Sequence, residues 1–166
     1  NENIQIPSGV RLLATDRGGL ETYHGPGQWV VFVVNRLETL TGDRRGVRKA
    51  VGFLLQAALR AIQGLPEGRT AVLVEEGEKI GIWRDPALTE KVASVGISVR
   101  KGILHHGLAI NGYFTPESFV GINPCGIPGA RAGYVIPETI AGPDRPAAFE
   151  KLRGRLEAEL RAARLA

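Results

Sequence analysis

The chain contains no methionine and a single cysteine, Cys125. One cysteine cannot form an internal disulfide, so the small disulfide-stapled scaffolds are excluded, and the chain suits a reducing, cytoplasmic setting. The lack of methionine, at the first position included, implies a processed or truncated form with further chain upstream. No apolar run is long enough to cross a bilayer. Asn1 to Gly9 has neither the basic start nor the apolar stretch of a secretory signal. Histidine and cysteine are too few and too scattered to give a three- or four-ligand metal site. A P-loop and a dinucleotide fingerprint are both missing. Neither a cofactor nor a metal is therefore expected. Basic runs interleaved with aromatic residues are also absent, which argues against nucleic acid as a partner.

What is present fits one globular domain spanning residues 1–166. Of the 166 residues, 43% are hydrophobic and 23% charged, and the net charge is +4. The basic balance comes from 16 arginines against 5 lysines. It favours acidic partners, such as an acidic carrier protein or a phosphate-bearing substrate.

Four glycines, a proline, an arginine and a histidine crowd into Arg17 to Gln28, directly ahead of the apolar run Trp29 to Val34. Such a run reads as a buried strand, and the stretch before it as a loop feeding that strand. Loops on a rigid scaffold are where binding groups concentrate. Val10 to Thr15 reads as a short strand leading into the loop. Thr41-Gly42-Asp43 offers helix caps. Apolar residues then recur at helical spacing from Val47 to Ile62, ending at Gly64. Ala71 to Glu75 and Lys79 to Trp83 flank Glu76-Gly77-Glu78 as a hairpin. Val92 to Val99 and Ile103 to Asn111 read as paired strands joined through Arg100-Lys101-Gly102. Thr115 is placed to cap a short helix with Pro116 at its first position. Asn123 to Gly129 reads as a rigid loop. Pro146 to Ala166 reads as a second long helix, with Phe149, Leu152, Leu156, Leu160 and Ala163 on its apolar stripe. Sequential hairpins with two long helices indicate an α+β domain.

A lone cysteine is more often a small core residue than a nucleophile. Its place in Pro124-Cys125-Gly126 favours the nucleophile, since a reactive thiol needs access. With an ordinary pKa of about 8.5, it also needs a base or cation nearby. Lys91, His24, His105 and His106 are the candidates. A lysine at a strand end is usually a solvated charge, although an apolar wall around it would let it trade a proton with a thiol. Alternation along a strand places His105 and His106 on opposite faces.

The motifs together are more specific than any one of them. Arg17-Gly-Gly-x-x-Thr-Tyr-His-Gly-Pro-Gly-Gln28, Gly81-Ile-Trp83, Lys91-Val-Ala-Ser-Val-Gly-Ile97, His106-Gly-Leu-Ala109 with Asn111, and Pro124-Cys-Gly126 occur in that order. The set resembles the octanoyltransferases of lipoate biosynthesis, also called lipoyl(octanoyl) transferases, from about Arg17 to Gly129. The resemblance implies a mixed β-sheet flanked by helices, similar to the biotin and lipoate protein ligase fold. It also implies transfer of an octanoyl or lipoyl group through a cysteine thioester. The donor would be octanoyl-acyl carrier protein. The acceptor would be a lysine on the lipoyl domains of 2-oxoacid dehydrogenases or on the glycine cleavage H protein.

By the same resemblance Cys125 and Lys91 match the catalytic pair. Arg17, Gly18, Gly19, Leu20, Glu21, Thr22, Tyr23 and His24 match the acyl-pocket segments, as do Ser94, Val95, Gly96, Gly107, Leu108 and Ala109. Backbone N–H groups around Gly96 and Gly107 would then be placed for a tetrahedral oxyanion. Two departures stand out. Members of the family normally carry an additional segment ahead of the arginine motif, and Gly133 to Gly142 does not follow the family pattern. An ATP-dependent lipoate ligase of the same fold, and a silent acyl- or carrier-binding protein, are the competing readings.

Overall fold

A computed structural model describes residues 9–122, 126 and 129–162. The helical periodicity after Gly46 forms α2 (Val47–Gln63), and the short α1 (Leu37–Thr41) precedes it. Thr41 and Asp43 do not cap α2. Thr41 Oγ1 donates to the Leu37 and Asp43 carbonyls, and Gly46 stands at the N-cap without a side-chain bond. Most of the apolar face of α2 is used: Leu54, Leu55, Ala58, Ala61 and Ile62 are buried, while Val47 at its start is exposed. At about 1.5–3 kcal/mol for each large aliphatic side chain removed from water, that face holds the helix to the sheet. α3 (Asp144–Ala162) packs on α2 through buried Leu152 and Leu156. Its Phe149 stacks on Trp29 at 4.6 Å. Ala163, the last residue of the expected stripe, lies outside the described residues.

The sheet runs β1 (Gln28–Phe32), β6 (Ile103–Asn111), β5 (Glu90–Arg100), β4 (Gly81–Trp83), β3 (Val72–Val74). β2 (Asn35–Arg36) extends along β6, and β7 (Arg131–Ala132) lies parallel to the start of β5. The other pairings are antiparallel. The architecture is therefore α+β, a mixed sheet with one short parallel contact, covered by helices. β5 and β6 meet in a tight turn at Lys101 and Gly102, both with positive φ, the backbone that a two-residue hairpin requires.

Two expected elements do not form. Val10 to Thr15 makes no strand, and Leu12 and Leu13 are 72% and 73% exposed. The segment is tied down only further on, by Gly18 N–H donating to Ile97 O and by the Asp16 side chain. Thr115 to Phe119 turns instead of coiling. Ser118 Oγ accepts from Thr115 N–H and meets Thr115 Oγ1 at 2.9 Å, a local side-chain bond that competes with helix formation. Phe119 then adopts φ 56°, which a helix cannot contain.

Candidate active site

β5 is where local irregularity creates chemistry. Strict alternation from Ser94 and Gly96 would turn Lys91 toward α2, on the same side as Ala93 and Val95. The pairing with β4 instead jumps from Ile82↔Ala93 to Trp83↔Lys91, leaving Val92 as an extra residue. Val92 and Ala93 both enter the core, and Lys91 is delivered to the face of Ser94 and Gly96. This is the re-aiming of a side chain that a β-bulge performs.

Lys91 is buried, only 4% exposed. Its Nζ donates to the Ile80 carbonyl and lies 5.6 Å from the centroid of the Trp83 ring. Trp83 is itself fully buried, with its indole N–H donating to Lys79 O. The path of the lysine runs over Gly81. A Cβ there would stand 2.3 Å from Lys91 Cε and 2.7 Å from Ala93 O, and the residue has φ 138°. Only glycine fits both the conformation and the close approach.

From Lys91 a cavity of about 500 Å³ runs along the sheet, within the range of small-molecule sites. Thirteen of the sequence-derived site residues line it: Lys91, Arg17, Gly19, Leu20, Glu21, Thr22, His24, Ser94, Val95, Gly96, Gly107, Leu108 and Ala109. Gly18 and Tyr23 do not line it. Gly18 is tied by its backbone to Ile97, and Tyr23 is buried against Phe119, where it supports the loop from behind. Cys125 lies outside the described residues, while its neighbour Gly126 lines the cavity.

Strand register orders the cavity. Ala109 pairs with Ser94 and Gly107 with Gly96, so the two glycines face each other at a station five residues along β5 from Lys91. At about 3.3 Å per residue that is about 16 Å away. Gly96 and Gly107 are therefore wall at the far end of the cavity.

Residues that the sequence reading left out of the site turn out to hold it. His24 Nδ1 and the Gly25 N–H both reach Gln28 Oε1 at 3.3 Å. Gln28 Nε2 donates to Asn111 Oδ1 at 2.8 Å, and Asn111 Nδ2 donates to the carbonyls of Lys91 and Gly133 at 3.1 and 3.0 Å. One relay of amides thus fixes the glycine-rich loop to the backbone of Lys91. Crowding by protein atoms lowers the His24 pKa, helped by the Arg17 charge and opposed by the Gln28 bond. The divergent stretch after Gly129 joins the same support. Gly133 N–H donates to Lys91 O, and β7 lies beside Glu90 and Lys91. Burial pushes the Glu90 carboxyl up, but Arg131 and Arg84 outweigh it and leave the pKa lowered. Gln28 and Asn111 stand inside the motifs. An amide closing an apolar strand was the available signal for Asn111.

At the far end Asp16 bonds Ser98 Oγ at 2.9 Å and His106 Nε2 at 2.8 Å, and pairs with Arg100 at 2.7 Å. The hydrogen bonds from His106 and Ser98 hold its carboxyl well below the ordinary range. His106 has φ 63°. This breaks the expected alternation and brings its ring to Asp16 on the side of Ser98.

Comparison with known proteins agrees with this geometry. The lipoyl protein ligase A/B catalytic domain matches residues 5–145. An octanoyltransferase of Marinobacter nauticus is 39% identical over 129 residues, covering 77% of this chain and 56% of that protein. An octanoyltransferase of Methylococcus capsulatus is 41% identical over 126 residues, covering 75% and 55%. A probable octanoyltransferase of Pyrobaculum arsenaticum is 40% identical over 121 residues, covering 70% and 49%. The chain spans about half the length of the curated relatives it matches. With the family match running from residue 5 to the first turn of α3, the chain belongs to the lipoyl protein ligase A/B catalytic domain family.

Proposed function

We propose that this domain transfers an octanoyl or lipoyl group from acyl carrier protein to a lysine of a lipoyl domain through a thioester on Cys125. The observation that carries the reading is the placement of Lys91, a buried amine at one end of a largely apolar cavity that Gly126 also lines. Lys91 takes the thiol proton of Cys125, and the thiolate attacks the carrier's thioester carbonyl. The tetrahedral adduct expels the pantetheine thiolate, which takes the proton back from Lys91. One thioester has replaced another, so the step is close to balanced. The acceptor amine then attacks the acyl-cysteine and gives up a proton to Lys91. The Cys125 thiolate leaves and is reprotonated. Thioester to amide is downhill, so the sequence needs no nucleotide.

The names of the relatives support the acyl group and reaction class. The basic net charge supports an acidic carrier as donor. Lipoyl domains of 2-oxoacid dehydrogenases and the glycine cleavage H protein are the acceptors in this reading, and residues 1–166 act as one catalytic domain.

Intact-protein mass spectrometry after incubation with octanoyl-carrier protein tests it. One octanoyl group, released by hydroxylamine and absent from Cys125→Ser, is the expected result. No added mass on folded protein would overturn the proposal, and attachment of free lipoate only with ATP would point to a ligase.

A further inference from the structure

The end of the cavity remote from Lys91 is bounded by a feature that the reaction itself does not require. Gly96 and Gly107 pair across β5 and β6. The place of a Gly107 side chain is taken by the Val31 carbonyl of β1, and the place of a Gly96 side chain by the Arg17 stem. A Cβ on Gly96 would lie 2.9 Å from Arg17 Cδ and 3.1 Å from Gly18 O. The guanidinium does not reach across the cavity but folds back on its own loop, donating to the Gly18 and Leu20 carbonyls at 3.0 and 2.8 Å. Its aliphatic part therefore faces the space that a chain growing from Lys91 would enter.

Two tethers hold the stem there. On one side of it Asp16 bridges Ser98, His106 and Arg100. On the other, Gly18 N–H donates to Ile97 O at 3.0 Å. Arg17 is thus fastened on both flanks to the same stretch of β5 that it covers.

We propose that Arg17, clamped over the Gly96–Gly107 station by Asp16, is the stop that sets the longest straight acyl chain the cavity accepts. The proposal rests on the reading of this cavity as an acyl site, and it adds a length limit that the reaction itself does not require. An unbranched chain whose polar head is at Lys91 runs down the strand and meets the Arg17 methylenes. Each further methylene that finds room strengthens binding about fourfold, and the first that meets the stop reverses the trend.

Calorimetry with unbranched saturated fatty acids from hexanoate to tetradecanoate, on the full chain, tests this without any demand on Cys125. For the unaltered chain, affinity should rise to a maximum and then fall. In Arg17→Ala the maximum should move by about two or more carbons to longer acids. Arg17→Lys, which keeps an aliphatic stem over Gly96, should hold the original maximum. Asp16→Asn, with its ion pairs lost, should broaden the fall-off. Circular dichroism and thermal melts establish that each variant is folded.

A maximum unmoved in folded Arg17→Ala overturns the stop and leaves the acyl cavity standing. Failure of every acid to bind overturns both. Binding with a shifted maximum but no acyl-enzyme in the mass spectrum upholds the stop and removes only the transferase.

Discussion

At one end of the cavity Lys91 is withdrawn from water, its amine against the Ile80 carbonyl, the Trp83 indole face and the gap left by Gly81. At the other end Asp16, His106 and Arg100 meet with side chains 39%, 23% and 70% exposed. Both ends are built on β5, with Ser98 seven residues along the strand from Lys91. At the buried end no solvent substitutes for a lost partner, so each contact there matters. The open end has several partners, and water stands in readily for any of them. In the proposed reading one end serves chemistry and the other shape, and mutation should separate them.

The largest effect is expected at Lys91. Lys91→Met should lower the rate of acyl-enzyme formation by about 10²–10⁴-fold, the usual loss on removing a positioned acid or base. The melting temperature should hold or rise, because an apolar side chain of similar size replaces a buried polar group. Normal turnover in this variant would erase the distinction between the two ends.

Gly81→Ala comes next. The new methyl meets Lys91 Cε and the Ala93 carbonyl at a backbone angle unsuited to alanine, so stability should fall by about 1–3 kcal/mol. Acyl transfer should fall with it as the lysine is pushed aside. Denaturant titration alongside single-turnover rates measures the two losses. Asn111→Ala should cost about 1–3 kcal/mol, since the Gly133 carbonyl and the Gln28 amide lose the Asn111 side chain and the Lys91 carbonyl keeps only the Gly133 N–H of its two donors. Amide hydrogen exchange in the loop from Thr22 to Gln28 should rise in the same variant.

Asp16→Asn should be the mildest. Its melting temperature at neutral pH should scarcely differ from that of the unaltered chain, while exchange at Gly18 increases. The pH dependence has a definite sign. The Asp16 carboxyl titrates lower in the fold than its ordinary 3.8. Its contribution is therefore complete above that pH and is lost as the pH falls through the lowered value. Gly18 protection that fails between pH 7 and 5 would show that the carboxylate is not what holds the strap.

Long periodic elements were legible from the residues alone. The stripe of α2, the stripe of α3 and the β5–β6 hairpin follow from period and turn chemistry. The shorter elements were not. β2, β7 and α1 carry two to five residues each, too few to express a period, and they form because neighbouring strands offer partners. Val10 to Thr15 has the composition of a strand without a partner in the described sheet, so its apolar residues stay outside. The glycine-rich loop and the strand segments of the cavity were legible as motifs. What joins them was not: the Gln28–Asn111 relay spans 83 positions of sequence, and the Asp16 clamp spans 82 and 90.

The extra residue at Val92 has a consequence for how this strand tolerates change. It divides β5 into two frames, one in which odd-numbered residues face the helices and one in which an odd-numbered residue faces the cavity. Lys91 belongs to the second frame and Val95 to the first. Deleting one residue between them would restore an unbroken alternation and leave the lysine on the cavity face. Ironing out the irregularity with every residue kept would instead put Lys91 in the first frame, in the packed layer beneath α2, so the regular strand of full length would be the inactive one.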